Sequence, residues 1–227
     1  LGGNDPAIVL DDVDVKAVAP ALFASAFANS GQVCIAIKRL YVQDAIYDAL
    51  CNEMAALADA AVVGNGLEQG IQFGPVQNRA QYEKVLGLLE HTTAEGRIVS
   101  GGTRIEGQGY FIRPTIVRDI ADGARLVDEE QFGPVLPIIR FTDEDDAVAR
   151  ANASDYGLGA SVWSADVARA EALARRIDAG TVWVNKHLEL TPDVPFGGAR
   201  QSGIGTEMGI EGLLEFTQRS VVNSRKL

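Results

Sequence analysis

Cys34 is the residue in this sequence best suited by type to form a covalent bond with a substrate. It follows Asn29-Ser30-Gly31-Gln32-Val33, a run of turn-forming residues that breaks the helical pattern before it. Such a position suits a thiol whose main chain is held open toward a ligand. The nucleophilic form is the thiolate, favoured by a nearby cation, a base or a cluster of backbone amides. Lys38 and Arg39 lie close along the chain, but spacing alone leaves open whether either faces the sulfur. The competing reading of Cys34 is a small buried apolar residue. Cys51, one helical turn after Tyr47 in an amphipathic stretch, reads as packing.

Other polar residues give weaker signals. Neither His91 nor His187 has a second histidine or acidic residue at ligand spacing, so no metal site is expected. His187 lies in a long loop and could line a pocket, whereas His91 suits the negative end of a helix. Glu129-Glu130 precedes Phe132-Gly133-Pro134, so a carboxylate there could accept hydrogen bonds from a sugar hydroxyl or could simply be solvated. The run Asp143-Glu144-Asp145-Asp146 reads as a charged helix start. No GxGxxG follows a strand, and Gly197-Gly198 and Gly203-x-Gly205 read as turn chemistry.

Positioning these residues requires a packed scaffold, and the chain has the means to build one. It has 227 residues, 47% apolar and 22% charged, an ordinary globular balance. The net charge of −11 argues against a phosphate-backbone ligand, so no nucleic acid partner is expected. Two cysteines make no disulfide framework and point to a reducing cytoplasmic setting. No apolar run is long enough to span a membrane, and no signal peptide is visible.

Periodicity predicts a helix over 15–29 capped by Asp14, a strand at 40–42, and a helix opened by Asp44. A Gly- and Pro-containing loop, a helix over 78–93, and strands at 98–99, 112–117 and 135–141 follow. Thr142 with Asp145 resembles a capping box for a helix to 153. Strands at 161–163 and 181–184 flank a helix starting at Asp166. This alternation predicts an α/β fold with a mostly parallel twisted sheet and flanking helices. Residues 186–205 read as a long ordered loop. A short helix near 211–216 and a terminal strand at 220–222, without an evident partner in the chain, close the sequence. The expected division is a catalytic domain over 1–200 and a tail over 201–227 whose strand pairs with another subunit.

Several blocks together resemble the aldehyde dehydrogenase superfamily. Phe27-Ala28-Asn29-Ser30-Gly31-Gln32-Val33-Cys34 looks like its active-site cysteine motif, and Glu130-Gln131-Phe132-Gly133-Pro134-Val135 like its cofactor-ribose motif. Tyr156-Gly157-Leu158, Ser161-Val162-Trp163, Gly180-Thr181-Val182-Trp183-Val184-Asn185 and Pro195-Phe196-Gly197-Gly198 with Ser202-Gly203 are also similar to family blocks. Gly209-x-x-Gly212-Leu213-x-x-Phe216-Thr217 closes the series in the family's order.

The resemblance implies oxidation of a small-molecule aldehyde to a carboxylic acid with NAD or NADP. Cys34 would form a hemithioacetal and then a thioester, with its own N–H in the oxyanion hole. Glu130 would bind the nicotinamide ribose, Phe132 would pack near the nicotinamide, and Leu1 and Gly2 would border the cofactor. Asn185 and Phe196 would line the substrate channel, and residues 186–190 would help fit the aldehyde, hinting at a polar or mixed pocket. The family's general base is the glutamate directly before Leu-Gly-Gly, and this sequence begins at that Leu1. The expectation is therefore a piece of a longer homo-oligomeric enzyme (dimer or tetramer), inactive and unable to hold the cofactor by itself. The alternatives are a coenzyme A-acylating relative, an inert self-associating module, and a cofactor-free thiol hydrolase.

Overall fold

The computed structural model describes residues 2–227; the expectation for Leu1 lies outside the described residues. The elements run β1 (Asp5–Val9), α1 (Val15–Phe27), β2 (Ile37–Gln43), α2 (Asp44–Ala60), α3 (Arg79–Glu95), β3 (Arg97–Ser100), β4 (Thr115–Arg118), α4 (Arg125–Asp128), β5 (Val135–Phe141), α5 (Glu144–Asn152), β6 (Tyr156–Gly157), β7 (Gly159–Trp163), α6 (Val167–Ala174), β8 (Thr181–Val184), β9 (Ala199–Arg200) and α7 (Gly209–Glu215). Seven strands form one sheet in the order β3-β4-β5-β2-β1-β7-β8. Every neighbouring pair is parallel except β3 with β4. The α/β fold with a mostly parallel sheet is thus as the sequence predicts.

Alternation along each strand sends side chains to two cores. Ile8, Tyr41, Val117, Ile139 and Val162 face α3, α5 and α6, packing with Val85, Leu88, Val148 and Leu173. Ala7, Val9, Leu40, Val42 and Ile138 face α1 and α2, packing with Leu22, Phe27, Leu50, Cys51 and Met54. Asp14 caps α1 as predicted, accepting from the N–H groups of Lys16 and Ala17. Asp166 likewise caps α6 through Arg169 N–H.

Three expectations need correction. Asp44 is the first residue of α2, not its cap, and pairs with Arg140 on the neighbouring strand β5. The helix after β5 is capped by Asp143, which accepts from Asp146 N–H, not by Thr142. Residues 5–9, without a predicted element, form β1, paired to β2 on one side and β7 on the other. Residues 220–222 are exposed and pair with no strand among the described residues.

The β1–β2 pairing holds one irregularity. Asp5 is opposite Ile37 but Pro6 is opposite Arg39, so the register passes over Lys38. Pro6 has no N–H to continue the ladder, and an extra residue of this kind re-aims nearby side chains.

Candidate active site

Cys34 is exposed, at the end of a backbone fold unlike anything else in the chain. Asn29, Ser30 and Gly31 take φ of 49°, 58° and 75° in succession, a left-handed run that costs about 1–2 kcal/mol for each residue with a side chain. Hydrogen bonds hold it. Ser30 Oγ donates to Gly74 O at 2.9 Å, and Gln32 bonds Asn29 O, Pro75 O and Gln77 N–H. Gly31 is required at its place, since a Cβ there would lie 2.2 Å from Gly133 O. The Cys34 loop therefore rests directly on the Gly133-Pro134 turn.

That turn carries Glu130 and Phe132. Gln81 Nε2 donates to Gln131 O and Phe132 O, Lys84 Nζ donates to Glu130 O, and Gln131 Nε2 donates to Lys38 O and Val135 O. Phe132 is held half-buried at a φ of 45°. Glu129 turns outward to pair with Arg125 at 2.7 Å, whereas Glu130 turns inward. Glu130 Oε1 accepts the Gly3 N–H at 3.0 Å and lies 3.5 Å from Lys38 Nζ. Glu130 Oε2 accepts no hydrogen bond among the described residues, and a Cβ on Gly2 would sit 3.0 Å from it. A carboxylate with one oxygen anchored and the other free, beside a residue without a side chain, fits a diol such as a ribose.

Behind Cys34 is a buried polar cluster. Lys38 Nζ donates to Val33 O at 2.9 Å and Cys34 O at 2.7 Å. Burial pushes the Lys38 ammonium below its ordinary range, while Asp5, Glu130 and Cys34 draw it back up. Asp5 is fully buried, and neither carboxylate oxygen has a hydrogen-bond partner among the described residues. Burial raises its carboxyl to about 7, against the pull of Lys38. His187 is buried beneath the site and does not line a pocket. Its Nε2 meets Ile35 O at 2.7 Å and its Nδ1 meets Ser161 Oγ at 2.9 Å. Because Ile35 O can only accept, Nε2 carries the proton. Burial lowers the ring to about 4, so it is neutral at pH 7 and fixes the residue after Cys34.

In front of Cys34 is a cleft of about 410 Å³ walled by Leu158, Phe196, Ile204 and Phe216. Phe196 is set by a reciprocal backbone pair with Glu207, both bonds 2.7 Å. The Asn185 amide donates to Ser164 O and accepts from Ser164 N–H, so it braces the end of β7. The polar groups at 186–190 also bond inward or to each other, Lys186 with Glu189 at 2.7 Å. The part of the cleft that this chain supplies is mainly apolar, with Ser202, Thr206, Glu207 and Glu215 also on its wall. Cys51 is packed in the α1–α2 core, and burial pushes its thiol up to about 11. Sequence reasoning missed Asp5 and the placement of Lys38. The signal was present in Ala7-Ile8-Val9-Leu10, an apolar run that marks a buried strand and draws its flanking residues inside.

The model of the aldehyde dehydrogenase family matches residues 1–222. The chain belongs to the aldehyde dehydrogenase family. It is 41% identical over 220 residues to a betaine aldehyde dehydrogenase of Cereibacter sphaeroides, covering 96% of this chain and 45% of that protein. It is 40% identical over 225 residues to a succinate-semialdehyde dehydrogenase [NADP(+)] of Deinococcus radiodurans, covering 99% and 47%. Among solved structures, the aldehyde dehydrogenase of Mycobacterium tuberculosis complexed with NAD+ superposes with a TM-score of 0.92 at 38% identity, covering 96% of this chain and 46% of that one. Lactaldehyde dehydrogenase from Escherichia coli gives 0.94 at 36%, covering 98% and 47%. This aldehyde dehydrogenase chain spans about half the length of the curated relatives it matches.

Proposed function

We propose that the intact protein carrying this chain oxidises an aldehyde to a carboxylic acid through a thioester on Cys34, with NAD or NADP as oxidant. The observation that carries this is the convergence of an exposed thiol and an inward carboxylate. Cys34 O is joined to Glu130 Oε1 through a single ammonium, Lys38 Nζ, and the sulfur opens onto the cleft walled by Phe196. The thiolate would add to the aldehyde carbon to give a hemithioacetal. The Cys34 N–H donates to no protein acceptor among the described residues, so it is free to hold the oxyanion. Glu130, Gly2 and Phe132 would hold the nicotinamide end of the dinucleotide. When bound, that group supplies the hydride acceptor that takes the hemithioacetal to the thioester. Water would then release the acid.

The mainly apolar wall that this chain gives the cleft favours an aldehyde with a hydrocarbon body. Ile210, Leu213, Leu214, Phe216, Val221 and Val222 are exposed, which favours a homo-oligomer that covers them. Among the described residues no helix is long and apolar enough to cross a membrane, and both cysteines are free, as suits the reducing cytoplasm. The test is NAD(P)H formation by the intact protein on addition of aldehydes of graded chain length. Cys34→Ala should abolish it, and Glu130→Ala should weaken it less severely. Near-normal turnover in Cys34→Ala would overturn the mechanism.

A further inference from the structure

Lys38 is one of the largest fully buried side chains of the protein and the only lysine among them. A buried ammonium is expensive unless matched by acceptors and counter-charges. Here its donors go to two successive carbonyls, Val33 O and Cys34 O, and toward Glu130, with Asp5 as the other nearby acidic group. It occupies the position that the β1–β2 register passes over, opposite the Asp5-Pro6 step. The strand irregularity, the buried charge and the thiol loop therefore meet at one residue.

We propose that Lys38 is a positioning residue that fixes the nucleophile's main chain against the carboxylate at 130 and places a positive charge near the thiol. The proposal rests on Cys34 being the nucleophile. If Lys38 is removed, Glu130 keeps only the Gly3 N–H as an anchor, and the Cys34 carbonyl loses its donor. The charged groups around Lys38 are Asp5 on β1, Glu130 on the turn after α4, Cys34 on its own loop, and Arg39 beside it; His187 is neutral. Two of these are carboxylates, so the ammonium has to offset both before it can favour a thiolate. Burial holds Asp5 largely in its protonated form below about pH 7, which leaves Lys38 shared between Glu130 and the sulfur.

The test is the rate of Cys34 alkylation by iodoacetamide from pH 6 to 10, read by peptide mass, in this chain and in variants. Lys38→Met strips the buried acidic groups of their counter-charge, which threatens folding, so Lys38→Met/Asp5→Asn is measured beside it, with Asp5→Asn alone and Lys38→Arg as references. The double variant should alkylate about tenfold more slowly at pH 7, the effect commonly produced by losing one opposite charge at close range. Its profile should move to higher pH, while Lys38→Arg and Asp5→Asn keep the native profile. A double variant that alkylates at the native rate with the native profile overturns the proposal, as does an equal displacement in Asp5→Asn alone. Alkylation needs neither aldehyde nor cofactor, so a failure of the dehydrogenase reading would show separately, as absence of aldehyde-dependent NAD(P)H formation.

Discussion

The carboxyl of Asp5 should make this protein less stable as pH rises, and Asp5→Asn should remove that dependence. Burial raises the group from 3.8 to about 7. In the unfolded chain it ionises near its ordinary value; in the folded chain it holds its proton to near neutrality. Between these two values the folded state binds more protons, so the contribution to stability falls with each pH unit. Below 3.8 both states are protonated, and above about 7 both are ionised, so the term is flat at either end. At about 1.4 kcal/mol per pKa unit, the three-unit gap amounts to roughly 4 kcal/mol, of which about 2–3 kcal/mol falls between pH 5 and 7. His187 acts oppositely, because its ring is lowered to about 4 and it stabilises progressively as pH rises to its unfolded value. Comparison of native protein with Asp5→Asn cancels that term. Urea unfolding at pH 5, 6, 7 and 8 gives the readout. The variant should gain about 2–3 kcal/mol on the native protein between pH 5 and 7. A gap that stays constant across this range, or that closes as pH rises, would refute the argument that burial outweighs Lys38 at this carboxyl.

Two further outcomes follow from contacts around the site. Gly31→Ala places a Cβ 2.2 Å from Gly133 O at a φ of 75°, and should cost about 2 kcal/mol or more and slow Cys34 alkylation; Gly66→Ala, with nothing within 4 Å, is the control. Equal thermal midpoints for the two variants would contradict the close approach of the two loops. Tyr47→Phe removes a hydroxyl that donates to Ile138 O at 3.0 Å and accepts from Asp119 N–H at 2.8 Å, for a loss of about 1–3 kcal/mol in denaturant unfolding with unchanged alkylation of Cys34.

Sequence carried the fold wherever a local signal and the tertiary structure agreed. Asp14 and Asp166 sit at helix starts because their side chains satisfy free N–H groups, and that chemistry is local. Residues 135–141 were legible as a strand because burial on both faces leaves an apolar run. The opening strand was not, because Asp5 and Pro6 disguise a segment of only five residues. At the site, Cys34, Glu130 and Phe196 were legible as residue types in recognisable blocks; Cys34 and Phe196 line one cleft, and Lys38 links the Cys34 carbonyl to Glu130. The bonds of the Asn185 amide to Ser164, just after β7 and 21 residues away in sequence, have no signal in a linear reading. Lys38 and Asp5 look like surface charges in a linear reading, and only the strand pairing shows them to be interior.

The strand at residues 5–9 lies in the middle of the sheet although it comes early in the chain. One flank is covered by residues about thirty positions later, but the other waits for residues 161–163. During synthesis on the ribosome, an open row of amide and carbonyl groups persists until that distant segment emerges, and nascent chains with such open edges readily join their neighbours. Closing so large a loop is also slow. Production of this protein should therefore respond to translation rate and to chaperones that shield unpaired strands more than its finished core would suggest.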